Sequence, residues 1–164
     1  MKLRVLLFSL LTTYAVQASA QSSDAKYDQR IKTRLDGIGL KYSITEKGNF
    51  KVVFDVGKDR TQVVIINSST YQYEGMEIRE IYSAAASVKE KASLSQKNLF
   101  ILLERNESYK IGSWQIANVS DVYRLEFGLR INADTRQSEL DELLRLAART
   151  ADDMETQLTD GDEF

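Results

Sequence analysis

Hydrophobic positions along the first half of the chain follow first a helical and then a strand period. Tyr27, Ile31 and Leu35 repeat every four residues and predict an N-terminal helix that ends at Gly37. Three segments then show the apolar pattern of strands, and the turns between them are made by Gly, Asn and Asp. They predict an antiparallel meander with strands at residues 40–45, 50–56 and 62–66, the last running on to residue 73.

The segment from Glu77 to Lys91 is predicted to be the helix around which the rest of the chain is arranged. Its apolar residues fall on one face of a 3.6-residue period, at Ile78, Ile81, Tyr82, Ala85, Val88 and Ala92. Arg79 and Glu80 fall on the other sides, and the alanines at 84–86 would let the helix lie close to the sheet. We therefore expect Ile81 in the core and Arg79 in solvent.

The second half of the chain predicts three more strands and a long helix. Leu99–Leu103 is apolar on both faces, which is typical of a strand buried on both sides. Further strands are expected at residues 109–117 and 123–131. Residues 137–158 form an amphipathic pattern, and a helix of that length would extend roughly 30 Å. A seven-residue strand extends only about 23 Å, so we expect the far end of the helix to overhang the sheet.

Two groups of residues are candidates for binding a partner. One is an apolar stripe on the overhanging helix, which we predict contacts a second copy of the protein or a client segment. The alternative is that this stripe folds back on the first helix. The other group is aromatic, because rigid, amphipathic Tyr and Trp are favoured in interfaces, although ordinary strand packing explains it as well. The candidates are Ala147, Ala151, Met154, Leu158, Tyr71, Tyr73 and Trp114.

Composition excludes several classes of chemistry. The 164 residues include no histidine, cysteine or proline, and the net charge is −2. Without histidine the chain lacks the commonest general base near neutral pH and the commonest transition-metal ligand. Without cysteine it has no thiol nucleophile, disulfide or lipoprotein-type acylation site. A mildly acidic chain is a poor match for nucleic acid. We therefore expect no cofactor, no metal and no nucleic-acid partner.

The first twenty residues have the three parts of a secretory signal peptide. Lys2 and Arg4 form a positive start, Val5–Leu11 is apolar, and Ala18-Ser19-Ala20 is a small-residue cleavage site. The apolar run is far shorter than the roughly 20 residues that span a bilayer, which argues against a membrane anchor. We predict cleavage after Ala20 and a periplasmic or secreted bacterial protein. Residues 21–158 would form a single α+β domain, and 159–164 a frayed acidic tail.

Candidate catalytic and metal sites are each explained better by ordinary structure. The acidic residues near the C-terminus do not match the spacing of an EF-hand loop and suggest a solvated terminus. No G-x-S-x-G motif occurs, and Ser87-Val88-Lys89 has the wrong spacing for a Ser–Lys pair. Glu104, Glu107 and Glu126 could serve as glycosidase carboxylates only if the fold brought two of them together. We expect that the protein is not an enzyme.

The order of the elements and two short segments resemble the YbjN-like family. The segments are Leu35-Asp36-Gly37-Ile38-Gly39-Leu40, before the first strand, and Asn106 with Ile111-Gly112-Ser113-Trp114 in the later hairpin. The resemblance covers about Tyr27 to Met154, and the fold of that family is similar to the type III secretion chaperones. It implies a non-enzymatic α+β protein that binds a polypeptide, often as a dimer. The signal peptide departs from the cytosolic secretion chaperones.

Together these observations predict an α+β fold similar to the type III secretion chaperones. It would contain an antiparallel sheet of about six strands in two meanders, with an N-terminal, a central and a long C-terminal helix. The leading hypothesis is an exported chaperone-like or accessory envelope protein that binds a protein partner or itself and has no stable membrane anchor. The alternative is a periplasmic sensor that binds a small apolar ligand between helix and sheet. A glycan-active enzyme is a more distant third.

Overall fold

A computed structural model describes residues 26–159 and 161–164. The predicted signal peptide, 1–20, lies outside the described residues. A short 3-10 helix, Lys91–Ser93, precedes α2. The helices and strands are α1 (Gln29–Ile38), β1 (Tyr42–Ile44), β2 (Phe50–Gly57), β3 (Arg60–Tyr73), β4 (Met76–Val88), α2 (Gln96–Ser108), β5 (Ser113–Val119), β6 (Val122–Asn132) and α3 (Gln137–Leu158).

The six strands form one antiparallel sheet in the order β1-β2-β3-β4-β6-β5. The first four strands follow one another as a meander, and the β5–β6 hairpin adds β6 beside β4. The α+β class, the six strands and the long C-terminal helix are as predicted from the sequence. The predicted strands at the second, third and last positions also coincide with β2, β3 and β6.

The two faces of the sheet have different environments. Along β2 and the first half of β3, buried residues alternate with half-buried or exposed ones, the pattern of a sheet with one face in the core. We call the buried side the covered face, because side chains from all three helices pack with it in one hydrophobic core. The other side is the open face. The covered face includes Phe50, Val52, Phe54, Val64, Ile66, Ile81, Ala85, Phe127 and Leu129.

The segment predicted as the central helix is strand β4, so that prediction is wrong. Arg79 and Ile81 are buried on the covered face, whereas Ile78 and Tyr82 are half-buried on the open face. An inward-facing charge and two outward-facing apolar residues conceal the alternation of a strand. The two outward-facing apolar residues combine with Ile81 and Ala85 of the covered face to imitate a helical period. Ladders to both β3 and β6 hold this segment in the sheet.

Arg79 faces the core because an acidic partner and two carbonyl acceptors lie there, and its Nε is the guanidinium nitrogen left without an acceptor in the described part of the chain. Arg79 is fully buried, donates to the carbonyl oxygens of Asn67 at 2.6 Å and Ser68 at 2.9 Å, and pairs with Asp28. Burial raises the pKa of Asp28, but hydrogen bonds from Arg30 and Arg79 outweigh this and lower it to about 2. Arg30 also pairs with Glu77 on β4 at 2.7 Å. This network fixes the start of α1 against the sheet.

Helix α2 occupies the segment predicted as a doubly buried strand, so Leu99–Leu103 is a second misassigned element. Ser95 caps the helix by accepting a hydrogen bond from the Asn98 backbone at 3.1 Å. Leu102 is the one buried residue of α2, whereas Phe100 and Leu103 are 57% and 65% exposed. A five-residue apolar run fits a strand or a helix equally well, and the capping serine decides for the helix.

Helix α3 has the predicted bounds, but it does not overhang the sheet with an exposed stripe. Ala147, Ala151 and Met154 are at most 1% exposed, and Leu158 is half-buried against the core. The helix packs on β2, β3, β4 and β6, so it crosses the strands rather than lying along one of them. A 22-residue helix therefore finds support along its whole length. The prediction that this stripe is free to bind a partner is wrong for these buried residues.

α1 ends at Ile38, and its C-cap is Gly39 rather than the predicted Gly37. Gly39, with φ of 78°, caps the helix in the left-handed conformation that glycine favours. Gly37 lies inside the helix, where a Cβ atom would come within 2.3 Å of the Gln137 side chain. The absence of a side chain at Gly37 thus allows α1 to approach the start of α3 closely.

Candidate functional site

The hairpin between β3 and β4 presents exposed apolar side chains on the open face. Tyr71 pairs with Ile78, and Tyr73 pairs with Met76. Directly paired residues share a face, and Ile78 lies opposite to the inward-facing Arg79. Tyr71, Tyr73 and Met76 are 57%, 59% and 51% exposed. We call these three residues the tyrosine hairpin.

An apolar strip extends from the tyrosine hairpin across the open face. Val53 of β2 pairs with Val63 of β3, and Ile65 of β3 pairs with Tyr82 of β4. Val53 is 52% exposed, and the other three side chains are half-buried. Exposed apolar residues grouped on one face of a domain often mark an interaction site.

A buried carboxylate lies on the same face at the other side of the sheet. Glu126 of β6 is 3% exposed and accepts a hydrogen bond from Gln115 of β5 at 2.9 Å. Its second oxygen, Oε2, lies 3.2 Å from Nη2 of Arg124, but the two atoms are not in hydrogen-bonding geometry. Burial raises the pKa of Glu126, and the hydrogen bond from Gln115 only partly offsets this. We call Glu126, Gln115 and Arg124 the Glu126 cluster.

The Glu126 cluster borders a cavity of about 200 Å³ on the open face. The Arg124 guanidinium lies 5.2 Å from the centre of the Tyr82 ring, which joins the cluster to the apolar strip. Glu80 and Arg130, also on the rim, form an ion pair at 3.2 Å. The cavity therefore combines an aromatic wall with charges of both signs. Such a site can orient a polar side chain or a small polar group.

The architecture is shared with a known structure. The crystal structure of YbjN from E. coli, a candidate transcription regulator, superposes with a TM-score of 0.50 and 9% sequence identity, over 77% of this chain and 88% of that chain. The fold is similar to that of YbjN. This agrees with the resemblance seen in the sequence. No protein-family model matches the sequence, and a comparison with curated proteins gives no significant match.

The residues predicted to bind a partner are divided between surface and core. Tyr71 and Tyr73 lie on the open face, as described above. Trp114 is 6% exposed and stacks edge-on against Phe127 in the core, so its expected surface position is wrong. Asn106 of α2 holds the Trp114 backbone with two hydrogen bonds, of 2.7 and 3.3 Å.

The three candidate carboxylates and the acidic C-terminus also differ from expectation. Glu104 and Glu107 lie on α2, whereas Glu126 lies on the open face of β6, paired with Gln115 of β5. Near the C-terminus, Asp152, Glu155 and Asp162 come together, with carboxylate oxygens within 4.8 Å of one another. Arg60 lies among them and supplies the positive charge that a bound cation would otherwise bring.

In the described part of the chain, none of the helices has the length and hydrophobicity needed to cross a bilayer.

Proposed function

We propose that this protein acts by protein–protein interaction through the open face of its sheet. The observation that carries the proposal is the exposure of the tyrosine hairpin together with the apolar strip beside it. Within residues 26–159 the helices pack on the covered face and leave these side chains to solvent. Tyr and Met are enriched in interfaces, and Met adapts to irregular partners.

The client that fits this surface is an unfolded or extended polypeptide. Tyrosine rings and a methionine offer apolar contact without a deep, shape-specific pocket. The Glu126 cluster adds a polar end to the surface, where a hydrogen-bond donor of the client would meet a carboxylate. We therefore propose a non-enzymatic, chaperone-like or accessory role. Its place in the bacterial envelope rests on the predicted signal peptide.

The experiment is suppression of aggregation of an unfolding model protein, such as citrate synthase heated above its melting temperature. The wild-type protein is expected to reduce light scattering, and Tyr71→Glu/Tyr73→Glu is expected to lose most of that effect. Phe100→Glu/Leu103→Glu is the matched control, because it places the same charges on similarly exposed apolar residues of α2. Equal losses in the two variants, or none in the tyrosine variant, would refute the open face as the binding surface.

Export is a separate element of the proposal. When the full chain is made in a Gram-negative host, the mature protein is expected in the periplasmic fraction. Its intact mass should correspond to a chain that begins at Gln21. Recovery of uncleaved protein that starts at Met1 would contradict this.

A second candidate function, a sensor for a small apolar ligand, is favoured by one observation. A groove of about 620 Å³ lies between the first half of α3 and the sheet, with Ile111, Ile131 and Leu143 among its walls. Its size falls within the usual range for small-molecule sites. The uncharged fluorescent probe N-phenyl-1-naphthylamine tests it. Binding that Leu143→Trp abolishes by filling the groove would favour the sensor, whereas unchanged fluorescence on mixing would remove this candidate.

A further inference from the structure

The two central strands separate at one end of the sheet. β3 and β4 are paired from Tyr73 and Met76 as far as Ile65 and Tyr82. Beyond that pair β3 continues beside β2 and β4 continues beside β6. A gap therefore opens inside the sheet between residues 60–64 of β3 and residues 83–84 of β4. We call this space the β3–β4 gap.

Two buried polar side chains replace the missing ladder on the β4 side of the gap. Gln62 donates to the Ser83 hydroxyl at 3.0 Å and to the Ala84 carbonyl oxygen at 2.7 Å. The Ser83 hydroxyl in turn donates to the Val63 carbonyl oxygen at 2.7 Å. These bonds satisfy carbonyl groups, but they leave the backbone N–H groups of Thr61 and Val63 without partners from β4. A backbone donor inside a sheet needs another acceptor.

The C-terminal residues of the same chain provide those acceptors. The Val63 N–H donates to the backbone oxygen of Phe164 at 3.0 Å, and the Thr61 N–H lies 3.3 Å from the Asp162 carboxylate. The two donors of β3 thus meet one backbone oxygen and, two residues before it, one side-chain carboxylate, so the tail runs beside β3. The sequence led us to expect a frayed tail, and residues 161–164 are instead bound to β3. These residues fit there because β3 and β4 are no longer paired beyond Ile65 and Tyr82.

Recognition of the tail depends mainly on its backbone. Arg60 donates to the Gly161 carbonyl oxygen at 2.7 Å, and Glu155 accepts from the Glu163 N–H at 2.6 Å. Asp162 contributes its side chain to recognition. Its carboxylate accepts from the Thr61 N–H and lies 3.7 Å from the Arg60 guanidinium. Contacts to the backbone do not depend on the sequence of the bound segment. The bound segment needs only one acidic side chain at the position of Asp162. Other extended acidic segments would satisfy the same contacts.

We propose that the β3–β4 gap is a peptide-binding site for an extended acidic segment, and that the C-terminal tail is its resident, displaceable occupant. The partner segment would place an acidic residue beside Arg60 and Thr61 and its backbone along Val63. This site is separate from the tyrosine hairpin, so a client could be held at two places. The covalently attached tail competes at the millimolar effective concentration typical of short tethers, which keeps the site closed to weak segments.

The test uses the full chain with its own tail displaced. Asp162→Lys removes the carboxylate that accepts from the Thr61 N–H and pairs with Arg60, and it leaves all residues of the gap in place. A fluorescein-labelled peptide with the sequence of residues 159–164 is the probe, and anisotropy measures its binding. We expect Asp162→Lys to bind the peptide at least about tenfold more tightly than the wild type, because the competing tail is removed. A peptide with lysine in place of its second aspartate should not bind.

Amide hydrogen exchange at Thr61 and Val63 provides the second readout. Exchange is expected to be slow in the wild type, fast in Asp162→Lys and slow again when the peptide is added. Asp153→Lys is the matched control, since it makes the same charge change at an exposed position of α3 and should behave as the wild type. Fast exchange without peptide binding would overturn the proposal, and so would slow exchange in Asp162→Lys. Neither result would bear on binding at the open face.

Discussion

The covered and open faces of the sheet treat charged and apolar residues in opposite ways. On the covered face the buried guanidinium of Arg79 pairs with Asp28 and donates to two carbonyl groups, while its Nε atom has no hydrogen-bond acceptor among the described residues. On the open face the apolar residues of the tyrosine hairpin remain more than half exposed. The buried position of Arg79 is therefore explained by its contacts within the fold. The exposed apolar residues are not covered by the helices of the described chain, and this exposure is the basis of the proposed interaction.

The buried carboxylates on the two faces differ in the same way. Asp28 accepts hydrogen bonds from Arg30 and Arg79, and its pKa is lowered to about 2. Glu126 has one oxygen without a hydrogen-bond donor, and burial raises its pKa. The contrast predicts that charge removal weakens the covered face and strengthens the open one.

The largest expected effect is the loss of the buried ion pair. Arg79→Ala leaves the Asp28 carboxylate without its buried partner, and breaking such a pair costs about 3–5 kcal/mol of unfolding free energy. Lys51→Ala, on the open side of β2, is the control and should change stability by less than about 0.5 kcal/mol. Chemical denaturation measures both. A small effect of Arg79→Ala would mean that the pair does not hold α1 to the sheet.

Neighbouring residues of β4 sharpen the comparison. Ile81→Ala creates a cavity in the core and should cost about 2–5 kcal/mol. Tyr82→Ala, on the opposite face, loses a half-buried ring and a cation–π contact of about 0.5–1 kcal/mol, and should cost clearly less. A helix would place both residues on one side and make the two variants similar. The difference between their denaturation midpoints thus tests the strand assignment directly.

The covered face should also lose stability in acid. Because the pKa of Asp28 is lower in the folded state than in the unfolded chain, its contribution is complete above about pH 5. It is lost as the pH falls toward 2. The lowering of the Asp28 pKa from 3.8 to about 2 corresponds to about 2 kcal/mol of unfolding free energy. Asp28→Asn should flatten the pH dependence of thermal unfolding over this range. An unchanged slope would show that Asp28 is not held as an ion in the folded protein.

The smallest expected effect is at Glu126, where removal of the charge should increase stability. The pKa of Glu126 is higher in the folded state, so its ionisation favours unfolding as the pH rises above the usual value of 4.5. Glu126→Gln removes that ionisation and should raise the melting temperature at pH 8, with little change at pH 4. Suppression of aggregation should fall at the same time if the cluster contacts clients. A lower melting temperature at pH 8 would show that the carboxylate stabilises the fold.

The elements that the sequence predicts correctly are those whose two faces differ cleanly in polarity. In β6 the odd-numbered residues 125–131 are apolar and buried, and in α3 leucines and alanines repeat along one side. β4 escapes prediction because Arg79 and Ser83 face the core while Ile78 and Tyr82 face outward. The reason for that exchange lies in Asp28, 51 residues earlier. A contact between residues so far apart in the sequence leaves no trace in the local hydrophobic pattern.

The candidate site is even less accessible to sequence reasoning. Tyr71 and Tyr73 were predicted as candidate contact residues by residue type, and both are exposed, but the sequence does not show which face of the sheet the helices leave uncovered. The Glu126 cluster exists because β5 pairs with β6 and places Gln115 opposite Glu126. The sequence signal for Glu126 was only an acidic residue within an apolar strand. The β3–β4 gap depends on the point at which two strands separate, which no hydrophobic pattern marks.

Footprinting by hydroxyl radicals tests the central claim most directly. The protein is labelled alone and with a permanently unfolded polypeptide, such as reduced and carboxymethylated lactalbumin, and mass spectrometry gives the oxidation of each residue. We predict that the client protects Tyr71, Tyr73 and Met76, while Phe100 and Leu103 of α2 remain as reactive as in the free protein. Protection of α2 with an unprotected tyrosine hairpin would contradict the assignment of the open face as the binding surface.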